Sequence, residues 1–151
     1  MISSTIEGFK RLFGEIAVKS GFQSAFGGWF KESSECIFVL DLQKSNFGDY
    51  YDLNIKLFIQ GVFDKVYVKN KDLVKKEVGD IFRRQPNDFN DVFKLDNSMN
   101  DIERRTKLEK LFLYFIIPFS NNVLTRAGIK ELAEKSELFI LPAIKKELNI
   151  N

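Results

Sequence analysis

The 151-residue chain contains no histidine. Imidazole is the commonest general base near neutral pH and a very common metal ligand, so Ser-His-Asp and Cys-His nucleophiles cannot be assembled from this chain. The single cysteine, Cys36, excludes an intramolecular disulfide, and zinc sites of the His or Cys type fall with it. Chemistry within the chain would be left to carboxylates, lysine, tyrosine or a lone thiol. A dominant charge of one sign is also missing: 23 basic against 21 acidic residues leave a net charge of +2, too weak a field to draw in a polyanion, which disfavours nucleic acid as a partner. No apolar run is long. Leu111 to Phe119 reaches about half the ~20 residues of a membrane span and ends in Pro118-Phe119, so no membrane-crossing helix is expected. The start Met1-Ile2-Ser3-Ser4-Thr5 lacks the cationic and apolar regions of a signal peptide, and with one cysteine this points to a reducing, cytoplasmic compartment.

What is present is ordinary in amount and unusual in kind. Apolar residues make up 44% and charged residues 29%, far from the signature of disorder, and a chain of this length can bury roughly 70% of its unfolded surface around one core. Sixteen Phe stand against 1 Trp and 4 Tyr, so the core is filled by rings that carry no hydrogen-bonding group.

Two runs carry the fold signal. Cys36 to Gln43 starts apolar on both faces and then alternates, while Tyr51 to Ile59 alternates with odd positions apolar and Asp52, Asn54 and Lys56 polar. The intervening Lys44 to Tyr50 is turn-forming, and a hairpin that closes symmetrically sets Asp41 opposite Asn54, Gln43 opposite Asp52, Leu40 opposite Ile55 and Leu42 opposite Leu53. One face is apolar and the other polar. Shorter strands are expected at Phe26–Lys31, Val62–Val68, Gly79–Arg84 and Asp91–Leu95, with Lys69–Lys76 a charged loop or a short helix.

Helical spacing marks the two ends of the chain. Ile6, Phe9, Leu12, Phe13 and Ile16 predict a helix from Ser4 to about Lys19, with Ser4 and Glu7 as a capping box and Ser20-Gly21 as its stop. Asn100 with Glu103 predicts a second capping box, opening a helix that runs to Pro118 and is buried on two sides. Thr125 caps a helix through about Lys135, and Leu138 to Leu148 suggests a last one that kinks or restarts at Pro142. The expected fold is therefore a single α+β domain over residues 1–151: an N-terminal helix, an antiparallel sheet of four to six strands between about residues 26 and 95, and C-terminal helices packed on one sheet face.

The stretch Val39-Leu40-Asp41-Leu42-Gln43-Lys44-Ser45-Asn46, followed by Tyr51-Asp52-Leu53-Asn54-Ile55, resembles a bacterial family known as domain of unknown function 4304. The Gly21-Phe22 step, the strand ending in Gln-Lys-Ser, the Asn-Ile pair, the Gly79-Asp80 step and Ile116-Ile117-Pro118-Phe119 are similar to that family. The resemblance covers about residues 1–125, with 126–151 as a C-terminal helical extension. It implies a bacterial α+β domain and transfers no catalytic residue. By analogy alone, small domains of this kind are proposed to be immunity-type or accessory proteins that bind another protein.

The leading candidate surface is the polar strand face and its loop: Asp41, Gln43, Lys44, Ser45, Asn46, Asp52, Asn54 and Lys56. Amides facing each other across a hairpin offer donors and acceptors to a ligand or a partner strand. The plain alternative is a solvated face, with Asn46, Gly48 and Asp49 shaping the turn. Asp41 and Asp52 lack the loop spacing of an oxygen-ligand metal site, and the pairing sets acid against amide rather than acid against acid, so no catalytic residue, metal or cofactor is expected. Cys36 reads as a small core hydrophobe. Asp64 to Arg84 carries a basic surplus of three with Tyr67 and Phe82 interleaved, which a solvated face explains more simply than nucleic acid does. Arg104, Arg105, Lys107 and Lys110 alternate with acids as exposed helix faces do. The expectation is a non-catalytic cytoplasmic domain that binds another protein through the sheet face or edge. Its rival is a small-ligand protein or enzyme with a pocket of convergent Asp, Tyr and Lys side chains. The unclosed sheet also leaves edges that a second copy could pair with.

Overall fold

The alternating central strands are buried on both faces in the computed structural model, which describes residues 6–151, with side chains from Gly8 onward. The Ser4–Glu7 capping pattern lies outside the described residues. Five strands, β1 (Gln23–Ala25), β2 (Gly28–Glu32), β3 (Cys36–Lys44), β4 (Tyr51–Ile59) and β5 (Ile81–Arg84), form one antiparallel sheet in sequence order. The central hairpin has the expected register, with Asp41 paired to Asn54, Gln43 to Asp52, Leu40 to Ile55 and Leu42 to Leu53.

One face of the sheet holds most of the core. Phe38, Leu40, Leu53, Ile55 and Leu57 meet Phe9, Leu12, Phe13 and Ile16 of helix α1 (Ile6–Lys19), whose apolar stripe the 3.6-residue period dictates. The Phe-rich composition is spent here: Phe13 lies 5.0 Å from Trp29 and 5.1 Å from Phe112 between ring centroids, and Phe38 lies 6.0 Å from Phe119. Helices α4 (Ile117–Val123), α5 (Arg126–Glu134) and α6 (Pro142–Glu147) extend the same core through Phe119, Ile129 and Ile144.

The helix opened by Asn100 is built as its capping box predicts. Asn100 accepts from the Glu103 N–H at 2.8 Å at the start of α3 (Asp101–Leu111). The expected end at Pro118 is not where the helical path stops. Residues Phe112–Ile116 form a π turn, and the Ile117 N–H donates to the Phe112 carbonyl, five residues back. That wider turn puts Pro118 in the first turn of α4, where a missing N–H is harmless. Pro142 acts as the sequence suggests, restarting the chain as the first residue of α6.

Three expectations are corrected. Val62–Val68 is no strand: Gly61, Phe63 and Asp64 have positive φ, so the chain turns away through a 3₁₀ turn at Val62–Asp64. Its backbone still finds a partner, because the Gln60 side chain accepts from the Tyr67 N–H at 2.7 Å and donates to the Tyr67 carbonyl at 2.9 Å. Asp91–Leu95 is largely a 3₁₀ helix, Asn87–Phe93, and keeps strand character only at the bridge between Tyr50 and Lys94. Arg104 is fully buried rather than on an exposed face, donating to the carbonyls of Val92, Lys94 and Met99 and to Asn97 Oδ1. It ties the 3₁₀ segment and the loop after it to α3 through these four acceptors.

Candidate functional site

The second face of the sheet is closed by the chain between β4 and β5. Gly61 (φ 88°) and Gly79 (φ 93°) bracket this 61–79 segment at backbone angles that side-chain-bearing residues rarely adopt. The segment carries a one-turn helix, α2 (Lys71–Lys75), capped by Asn70, whose side chain accepts from the Leu73 N–H. Leu73 and Val74 pack on Phe30, Ile37, Val39 and Phe58 of the sheet. Asp80 secures the far end, its carboxylate accepting from the Ile59 N–H at 2.8 Å and the Tyr67 hydroxyl at 3.1 Å. Burial pushes the Asp80 carboxyl above its usual range, only partly offset by these hydrogen bonds.

Beyond that apolar patch the same face turns polar, and its groups are joined. Lys56 donates to the Val74 carbonyl at 2.6 Å and the Leu73 carbonyl at 3.3 Å, satisfying acceptors at the end of α2 that the helix itself leaves open. Burial pulls its ammonium below the ordinary lysine range, with the Asp41 charge pulling the other way. Asn54 donates to Asp41 Oδ2 at 3.3 Å and to Gln43 Oε1 at 3.0 Å, and accepts from Arg84 at 2.8 Å. Arg84 also pairs with Asp52 at 3.5 Å. Asp41 Oδ1 has no hydrogen bond, although Lys75 Nζ stands 3.5 Å away.

The face is therefore not the solvated surface that its polarity suggests. Asp41, Asn54 and Lys56 are buried, Asp52 and Ser45 are partly buried, and Gln43, Lys44 and Asn46 are exposed. Asp41, Gln43 and Asn54 form one network, to which Arg84 joins Asp52, while Lys56 stands beside it on the Leu73 and Val74 carbonyls. Ser45 belongs to the turn instead, accepting from the Phe47 N–H at 2.9 Å. Asn46 joins neither group.

A cavity of about 400 Å³ opens where β3 outruns β2, lined by Asp41, Gln43, Lys44, Asn54 and Lys56 together with Lys10, Leu42, Tyr51 and Lys75. Four lysines, Lys10, Lys44, Lys56 and Lys75, thus share the lining with one carboxylate, which Lys75 Nζ approaches to 3.5 Å, a local surplus of three positive charges in a molecule close to neutral. Lys10 and Tyr51 had no signal in the sequence as site residues, since a lysine on an amphipathic helix and an apolar-face tyrosine are both ordinary. Lys75 lay within the basic run, but that run does not form one patch. Arg83 stacks 4.4 Å from the Phe115 ring on the core side, Arg84 points to the other face, and Lys69 pairs with Glu32 at 2.8 Å.

Cys36 packs fully buried at the head of β3, and burial pushes its thiol up to about 12, so it is a thiol rather than a thiolate at neutral pH. Among the described residues no cluster of three or more carboxylate or thiol side chains is placed to hold a metal ion, and no helix is long and apolar enough to cross a membrane.

A family model described as "Domain of unknown function (DUF4304)" matches residues 13–122, from the middle of α1 to the end of α4, and so contains the whole sheet and, Lys10 apart, the lining of the cavity. No curated protein and no solved structure matches the chain.

Proposed function

The chain belongs to the DUF4304 family, whose description carries no activity, and we propose from the site's geometry that this is a non-catalytic binding domain for an acidic segment of another protein. The observation that carries the reading is the cleft itself: Lys10, Lys44, Lys56 and Lys75 line it together with the single carboxylate of Asp41, at an uncovered strand end. Positive charge gathered in a concave, partly desolvated site attracts acidic groups more strongly than the same charges spread over a surface. Phe47, 93% exposed at the tip of the β3–β4 hairpin, adds an apolar contact beside it. We take the domain to be bacterial and cytoplasmic, of the immunity or accessory kind; the single buried thiol and the family resemblance support this.

Selection of displayed peptides against the whole chain tests the proposal. Wild type should enrich acid-rich sequences, and the Lys10→Glu/Lys44→Glu variant, altered only at the cleft rim, should lose that enrichment. An acid-poor consensus shared by both proteins would sink it.

A second reading has one observation behind it. A cavity lined by Asp41, Tyr51 and lysines falls in the size range of small-ligand sites, roughly 300–1,000 Å³, and would suit a small carboxylated molecule. Calorimetric titration with glutarate separates the two, since a peptide-binding cleft gains little from so short a dianion.

A further inference from the structure

The cavity lies at an edge of the sheet, not on a face. Its lining includes Leu42 and Tyr51, which point to the main core, and Asp41 and Asn54, which point the opposite way, so it wraps around the side of β3. The register explains why that side is open. Trp29 pairs with Leu40, and β2 ends one residue earlier at Gly28, so no residue of β2 stands beside Leu42, Gln43 or Lys44.

The direction of the backbone groups there follows from their neighbours. The Leu40 carbonyl faces β2, since a Cβ on Gly28 would meet it at 2.9 Å, whereas the Ser45 N–H donates to the Tyr50 carbonyl on the β4 side. Strand alternation then turns Leu42 and Lys44 the same way as Leu40, so their N–H and C=O groups point into the cleft. A strand edge of this kind is a template for another strand.

Resting on the reading of an acidic protein partner, we propose that the partner binds as an added strand: an extended segment pairs with the backbone of Leu42 and Lys44, its acidic side chains meeting Lys44 and Lys75. This combines the two halves of strand addition, main-chain bonds for affinity and alternate side chains for specificity. Charge decides against a second copy of this chain as the occupant, because pairing β3 with its own copy would bring two lysine clusters together. The chain's own residues 1–5 carry no acidic side chain to offer.

The experiment uses the whole chain and a capped peptide of about six residues alternating Glu and Thr, the length of an average strand. Binding is followed by fluorescence anisotropy and by hydrogen exchange at individual amides. The peptide should bind, slow exchange at Leu42 and Lys44, and weaken by about tenfold when alternate backbone nitrogens are methylated, the loss expected for one or two hydrogen bonds. Equal affinity of the methylated peptide would overturn the added strand while leaving the acidic cleft intact. No binding of either peptide would overturn both, and would leave the lysines as guards against edge-to-edge association. Protection at β5 amides instead of Leu42 and Lys44 would overturn the choice of edge.

Discussion

The two faces of the sheet are closed by different chemistry. On the first, α1, α3 and the helices after it meet the strands through stacked and tilted rings, with Phe9, Phe13, Phe38 and Phe112 essentially inaccessible to water. On the second, a short apolar patch gives way to a lattice of amide, carboxylate and ammonium groups that holds the 61–79 segment down. Ring packing is non-directional and shared among many contacts, so it resists local opening. A polar network depends on each member: removing one partner leaves another buried and unsatisfied. The contrast implies that the first face sets global stability and the second governs whether the 61–79 segment, and with it the cleft, stays in place.

The largest effect should come from the first face. Phe13→Ala removes a ring between Trp29, Phe93 and Phe112 and should cost about 3–5 kcal/mol in a urea titration, with fluorescence and circular dichroism falling together. A small loss, or a loss seen by one probe alone, would break the claim that this face is the global core.

On the second face Lys56→Met keeps the bulk of the side chain but frees the Leu73 and Val74 carbonyls. About 1–3 kcal/mol should be lost, appearing as faster hydrogen exchange and protease cleavage within residues 61–79 ahead of the α1 amides. Acceleration everywhere at once would merge the two faces into one cooperative unit.

The smallest effect is a pH dependence at Asp80. Its folded-state pKa lies above the ordinary 3.8 because burial disfavours the charged form. The folded state therefore holds this proton more tightly than the unfolded chain does. The associated stability is present below 3.8 and is lost as pH rises through the folded value. The difference in unfolding free energy between wild type and Asp80→Asn should decline over that window and then level off. A difference that grows with pH would mean that the Ile59 and Tyr67 hydrogen bonds outweigh burial.

How much was legible in the sequence differs between these regions for the same reason. The β3–β4 register and the Asn100 and Thr125 caps are local patterns, and each appears as read. The strands assigned to Val62–Val68 and Asp91–Leu95 fail because β-rich composition does not reveal that a neighbouring side chain, Gln60, will take the place of a strand, or that the chain turns at Phe63. Arg104 fails for a similar reason: its spacing on α3 is that of a solvated residue, and only the carbonyls of the preceding loop make burial tolerable. Of the candidate surface, Asp41, Gln43, Asn54 and Lys56 line one cavity, whereas the burial of Asp41, Asn54 and Lys56 was not foreseen.

By itself the sequence determined the α+β class, the antiparallel pairing of the central strands, the capped helices and the exclusion of histidine chemistry within the chain. These follow from periodicity and composition, which act between near neighbours. Tertiary structure alone decided that the polar side of β3 and β4 would lie under the 61–79 segment and that Lys10 and Lys75 would meet Lys44 and Lys56 beside an uncovered edge. A polar strand face has the same alternation whether water or another part of the chain covers it, so only the return of distant residues distinguishes the two.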